Sequence, residues 1–426
     1  MSAVRTLPAG PGLPRTPRAP KPDPEAQVLL RSLNLVARRS AGEVPSVAAM
    51  RRRCHLMSTL MARRVPLPRV DNHRVPGPGG TLALRLFRPA AAEAGAARPL
   101  FLWLHGGGFT VGNLATADAI CRHIAERSGA VVATVRYRLA PEHDLHAGRN
   151  DALAALDWLR AHAARLGLDA DRIALGGDSA GGNIAAALAQ RLAQRGEGTP
   201  PRLQVLVYPA TNLRDAYPSR AQNAQGYLLT EESIRWFDAQ VAAHAHDLDD
   251  PRLSPALAPS LAGLPPALVL TAGFDPIRDD GLAYAARLRA DGVPVQLLHY
   301  AGQFHGFLNF DAVLRAARDA LDRIGDALAA AFHGSVAARP DRTLELGAAA
   351  RTPALLGSWV PQWVTGGLMA GEWLERSRHR VLGAFVPAGL DGWFALAKPW
   401  AQPATQLREQ IAAAYAPLEV HRTFVR

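Results

Sequence analysis

A mostly parallel α/β sheet flanked by helices is the fold class this chain predicts, and two observations carry that prediction. Five short apolar stretches, Pro99–His105, Asp171–Gly176, Arg202–Tyr208, Ala267–Phe274 and Val293–Tyr300, have the length and composition of buried strands. Segments of helical propensity lie among and after them, including alanine-rich Asn183–Gln190 and the stretch Asp311–Phe332. In such a sheet the loops beyond the carboxyl ends of the strands share one rim, so residues distant in the chain can meet there.

The loop after the second stretch reads Gly177-Asp-Ser-Ala-Gly181 and puts Ser179 at the corner between a strand and a helix. So abrupt a turn forces its corner residue into a strained backbone conformation, and glycines two positions either side remove the side chains that would collide. The serine Oγ is thereby exposed at a helix N-terminus, where the Ala180 N–H points at any developing negative charge. The first stretch leads into Gly106-Gly-Gly108. Three successive glycines leave N–H groups uncovered, which suits an oxyanion hole, where each donor contributes about 3–4 kcal/mol of transition-state stabilisation.

A serine nucleophile needs a base, and the base needs an orienting acid. Of fourteen histidines, His305 is the one in the loop after the last core strand, Ala301-Gly-Gln-Phe-His-Gly-Phe307. Asp275 closes the strand before it. Asp279 and Asp280 compete for the acid role, but they fall beyond Pro276 on the next helix, where carboxylates favour the N-terminal dipole. The chain order Ser179, Asp275, His305 is that of α/β-hydrolases and differs from the chymotrypsin and subtilisin orders.

Five signatures in order, His105-Gly-Gly-Gly108, Tyr137-Arg-Leu-Ala-Pro-Glu-His143, Gly177-Asp-Ser-Ala-Gly-Gly182, Asp275-Pro-Ile-Arg-Asp279 and His305-Gly-Phe307, make the chain resemble the hormone-sensitive-lipase-like (family IV) carboxylesterases from about residue 26 to 332. The resemblance implies an α/β-hydrolase fold with a helical cap, Ser179 as nucleophile, His305 as general base and acid, and Asp275 as orienting carboxylate. It implies an oxyanion hole from the N–H groups of Gly107, Gly108 and Ala180. His105, Glu142 and His143 are then scaffold, and Asp178 holds the surrounding loops. Two departures, Asp144-Leu-His-Ala147 for the usual Pro-Phe-Pro-Ala and Gly302-Gln-Phe304 for Gly-Met-x, bear on the shape of the acyl pocket and touch no triad position. The activity expected is hydrolysis of short to medium acyl esters through an acyl-enzyme on Ser179. An acyltransferase using the same triad and a non-catalytic ligand-binding homologue are the alternatives, the latter opposed by the presence of all three triad residues.

At 426 residues and 48% apolar content the chain can bury a large core, read as an α/β-hydrolase core over 76–335. Residues 1–24, with six prolines from Pro8 to Pro22, read as a disordered basic arm lacking the apolar region of a signal peptide. Residues 25–75 read as N-terminal cap helices. A second cap piece is expected at about 212–254, with a helix start at Thr230 and Leu228, Ile234, Trp236 and Phe237 as candidate pocket walls. Residues 336–426 form an extension of unknown role that holds Trp359, Trp363, Trp373, Trp393 and Trp400.

Residues 1–75 carry +10 of the net charge of +11, yet Arg51–Arg53 lacks the aromatic interleaving of a nucleic-acid site and reads as a solvated helix face. Cys54 and Cys121 show no C-x-x-C spacing, and the pairs His143/His146 and His244/His246 have no further ligands nearby, so neither a metal nor a cofactor is expected. No run of 18 apolar residues occurs, and no transmembrane segment is expected. The expected partner is a small-molecule ester and the expected address the cytoplasm. Peripheral membrane contact and homo-oligomerisation stay open.

Overall fold

The computed structural model describes residues 13–38, 44–90, 96–334, 341–348 and 418–425. Among these, ten strands form one sheet: β1 (Arg69–Gly77), β2 (Gly80–Arg88), β3 (Arg98–Leu104), β4 (Val131–Arg136), β5 (Leu168–Asp178), β6 (Gln204–Val207), β7 (Ala267–Phe274), β8 (Val295–Phe304), β9 (Arg342–Ala348) and β10 (Leu418–Val425). Their order is β1-β2-β4-β3-β5-β6-β7-β8-β9-β10. From β4 to β9 every pairing is parallel, while β1, β2 and β10 join antiparallel at the two margins.

Among the described residues, ten α-helices accompany the sheet: α1 (Pro24–Arg38), α2 (Val47–Leu60), α3 (Asp118–Ser128), α4 (Leu145–Ala161), α5 (Ala163–Leu166), α6 (Ala180–Arg195), α7 (Pro218–Gln222), α8 (Glu231–Val241), α9 (Arg278–Ala290) and α10 (Arg315–His333). The alternation of side chains along a strand divides the core in two. Leu100, Leu102 and Leu104 of β3 pack on one face with Leu156 of α4 and Ile184 and Leu188 of α6. Phe101 and Trp103 pack on the other with Ile120 and Ile124 of α3 and Leu321 and Ile324 of α10. Each large side chain so buried contributes about 1.5–3 kcal/mol.

The sheet is wider than a core of 76–335. β1 begins at Arg69, inside the stretch read as cap, and β9 and β10 come from the extension. β9 adds in parallel to β8, with Leu298 opposite Leu344, and buries Leu344 and Leu346 on the α10 side. Arg289 fastens this junction by donating from Nη2 to the Val295 and Arg342 carbonyls and to Thr343 Oγ1, at 3.0–3.1 Å.

Residues 13–24 correct the reading of a disordered arm. Ala19 N–H donates to Ala301 O at 3.0 Å and Asp23 N–H to Gly302 O at 2.9 Å, so this segment runs along β8. Arg15 N–H donates to Glu345 Oε1 at 2.6 Å, and Arg18 lies over the Phe274 ring at 4.6 Å. Composition missed this because proline, which lacks an N–H, still offers its carbonyl: Pro17 O accepts from His299 Nε2–H at 3.0 Å. Residues 1–12 and the five tryptophans of the extension lie outside the described residues. Among the described residues, no helix is long and apolar enough to cross a membrane.

Candidate active site

Ser179 stands where β5 turns into α6, at φ 54°, a backbone region that L side chains rarely adopt. The flanking glycines are sterically required: a methyl group on Gly177 or Gly181 would run into the Leu104 carbonyl oxygen. The corner is fixed by Ser179 N–H donating to Val207 O at 2.9 Å, and Asn183 N–H donating to Ser179 O at 3.1 Å starts the helix.

The loop after β8 brings His305 Nε2 to 2.9 Å from Ser179 Oγ, and His305 Nδ1 to 2.8 Å from Asp275 Oδ2. Asp275 is completely buried at the end of β7, and its Oδ1 accepts Ile277 N–H at 2.8 Å. An ionised carboxylate accepts only, so Asp275 sets the tautomer with the proton on Nδ1 and leaves Nε2 free to accept from the serine hydroxyl. The rival carboxylates are engaged elsewhere. Asp279 accepts from Arg278 Nε–H at 2.7 Å and Ser219 N–H at 2.9 Å, and Asp280 accepts from Thr211 Oγ1–H and from Asn212 N–H.

Beside this line the glycine loop turns back on itself. Gly107 and Gly108 have φ of 124° and 55°, and Gly107 O accepts the N–H groups of Thr110 and Val111. Among the described residues, no backbone carbonyl takes the N–H of Gly107, Gly108 or Ala180. The loop is anchored from below by Gly106 N–H donating to Asp178 Oδ1 at 2.8 Å and by Tyr137 Oη–H donating to His105 O at 2.6 Å. Burial pushes His105 down to about 4, which keeps it neutral, and its Nδ1–H donates to Gly106 O at 2.9 Å. Burial also pushes Asp178 up to about 6, against the Gly106 N–H bond that lowers it.

A cavity of about 780 Å³ opens over Ser179 and His305, roofed by α2 and by residues 228–248. Met50, Cys54 and Met57 of α2 and Leu228, Ile234, Phe237 and Val241 supply apolar lining. Burial pushes the Cys54 thiol up to about 11, so it serves as a neutral wall. Trp236, the fourth candidate wall, turns away from the cavity, and its indole N–H donates to Pro45 O at 3.0 Å. Phe237 lies directly against Gly108.

Arg51 corrects the reading of a wholly solvated basic face. It donates to Thr110 O at 2.9 Å and Ala140 O at 3.1 Å, and it pairs with both oxygens of Glu142 at 2.7 Å, tying α2 to the neighbourhood of the glycine loop. Asn223, which no sequence signal marked, donates to Asp275 O at 2.9 Å and so joins the cap to the end of β7. Among the described residues, no cluster of three or more His, Cys, Asp or Glu has the placement of a metal site.

Fold and site together define a carboxylesterase-like serine hydrolase. A family model described as the alpha/beta hydrolase fold matches residues 101–309. The chain is 41% identical over 295 residues to the carboxylic ester hydrolase LipN of Mycobacterium tuberculosis, covering 67% of this chain and 77% of that protein. It is 39% identical over 299 residues to an ethyl acetate hydrolase of Pseudomonas putida, covering 68% and 94%. An esterase of Pyrobaculum calidifontis superposes with a TM-score of 0.66 at 36% identity, covering 74% of this chain and 98% of that one. The chain belongs to the hormone-sensitive-lipase-like, family IV carboxylesterases of the α/β-hydrolase superfamily.

Proposed function

We propose that the chain hydrolyses short to medium acyl esters through an acyl-enzyme on Ser179. The observation that carries this reading is the unbroken line from Ser179 Oγ through His305 to Asp275, at 2.9 and 2.8 Å. Ser179 Oγ attacks the ester carbonyl as its proton passes to His305 Nε2. The oxyanion so formed accepts from the N–H groups of Gly107, Gly108 and Ala180, which no backbone carbonyl takes among the described residues. His305 then protonates the departing alcohol, and water repeats the sequence to release the acid. Asp275 stays ionised throughout and holds the imidazolium in place.

Cavity volume and wall chemistry support the substrate range. Small-molecule sites run to roughly 300–1,000 Å³, and this one pairs that capacity with thioether, aliphatic and aromatic walls suited to an acyl chain. The two helical cap pieces and a cytoplasmic address belong to the same proposal; both cysteines are free, in keeping with a reducing compartment. The test is Ser179→Ala. It is expected to abolish turnover of a p-nitrophenyl ester series and fluorophosphonate labelling, and undiminished turnover would refute the nucleophile assignment.

A further inference from the structure

Tyr208 comes immediately after β6, the strand between those that carry Ser179 and Asp275. Its φ is 34°, in the left-handed region that favours glycine, and Pro209 follows, which restricts it further. Glycine would make this turn without strain. The bent backbone is nonetheless held on both sides, with Tyr208 N–H donating to Leu270 O at 2.7 Å and Ala210 N–H to Ser179 O at 3.3 Å.

What the conformation achieves is the placement of a ring. The Tyr208 side chain is 1% exposed, and its centroid lies 4.7 Å from that of the His305 imidazole, tilted by 54°. Phe307 backs it at 5.9 Å. The hydroxyl is buried against the Leu308 backbone without closing a hydrogen bond, so the polar end of the residue does not account for the strain. Backbone outliers of this kind cluster where function over-determines them.

We propose that Tyr208 is a positioning residue for the esterase reaction, its ring bracing the His305 imidazole so that Nε2 stays aimed at Ser179 while the proton moves. The inference rests on the triad reading above. In the resting site His305 is tied at both nitrogens. Once the serine proton has passed to that nitrogen and Oγ has bonded to the acyl carbon, Nε2–H must turn from Oγ to the oxygen of the departing alcohol, while Nδ1–H to Asp275 persists. During that handover only the Nδ1–H bond is held throughout, and the ring can rock about it. The next residue, Gly306 at φ 82°, gives the loop no side chain with which to stop that motion. An aromatic ring packed on the imidazole supplies the restraint.

The test compares three full-length variants, with active sites counted by fluorophosphonate labelling taken to completion. Tyr208→Phe keeps the ring and is expected to hold kcat within about threefold, whereas Tyr208→Ala lowers kcat per labelled site roughly 10- to 100-fold with KM little changed. Tyr208→Gly relieves the backbone, so it is expected to match or exceed the Tm of Tyr208→Ala while remaining as slow. The far-downfield Nδ1 proton resonance of His305 should stay sharp in the Phe variant and broaden in the other two.

A tyrosine that only fills space would lower Tm and the labelled fraction but leave turnover per labelled site and the resonance unchanged. That result overturns the proposal, as does a loss in Tyr208→Phe equal to that in Tyr208→Ala. A parent enzyme that is not labelled at Ser179 would remove the triad reading and the brace with it. A labelled parent whose Tyr208→Ala variant turns over normally would remove the brace alone.

Discussion

The rim that carries Ser179 and the cap above it are held by opposite means. At the rim, Asp275 and His305 are buried and each engages its neighbours at both polar atoms, on loops fixed by a parallel sheet. In the cap, neither α2 nor α8 contains a buried residue. These helices are attached by polar ties, Arg51 to Glu142 and Trp236 to Pro45 among them. Pairs with this much solvent access contribute about 0–1 kcal/mol each. The contrast teaches that chemistry and access are separable here: changes at the rim should act on kcat and changes in the cap on KM and acyl preference.

Asp275→Asn should break the rim most severely. An amide cannot hold the proton on Nδ1 as a carboxylate does, and kcat is expected to fall about 10⁴-fold with KM little changed. A loss below tenfold in steady-state kinetics would dissolve the division between rim and cap. Gly181→Ala should act on folding instead, because its methyl group meets the Leu104 and His105 carbonyl oxygens. A destabilisation of about 3 kcal/mol or more is expected in urea titrations.

Asp178→Asn sharpens the comparison through pH. Burial raises the native carboxyl to about 6 from its ordinary value of 3.8, so the native state binds this proton more tightly than the unfolded chain does. Stability from this group is therefore present below about pH 4 and is lost as pH rises through about 6. The Asn variant escapes that loss, and its stability relative to the parent should grow by about 1–3 kcal/mol across the window in denaturation at stepped pH. Arg51→Ala is the mildest change. Releasing α2 from the glycine-loop neighbourhood should raise KM roughly three- to tenfold while Tm moves little. A fall in kcat to match Asp275→Asn would show that the cap belongs to the chemistry after all.

The rim was legible in sequence because its physics is local. Ser179, Asp275 and His305 each follow an apolar strand, and the glycines beside Ser179 occupy places where a methyl group has no room. The cap was legible only in part. Thr230 opens α8 as expected, its Oγ1 accepting Ser233 N–H at 3.1 Å, but which of Trp236 and Phe237 faces the cavity depends on how α8 sits against residues far away in the chain. The margin beyond β8 was not legible. β9 offers two leucines between polar neighbours, too short a pattern to stand out, and its junction depends on Arg289, a helix residue remote in sequence. Tyr208 was missed for the same reason, since nothing in its neighbours announces a positive φ.

The pairing of β9 with β8 has a consequence for anyone who shortens this protein. A chain ending after α10 would lose more than a tail of obscure purpose. It would bare the hydrogen-bonding groups of β8 between Gln296 and Tyr300, an adhesive seam that invites another copy to dock strand against strand. A trimmed esterase should therefore be weighed in solution before its selectivity is compared with that of the whole.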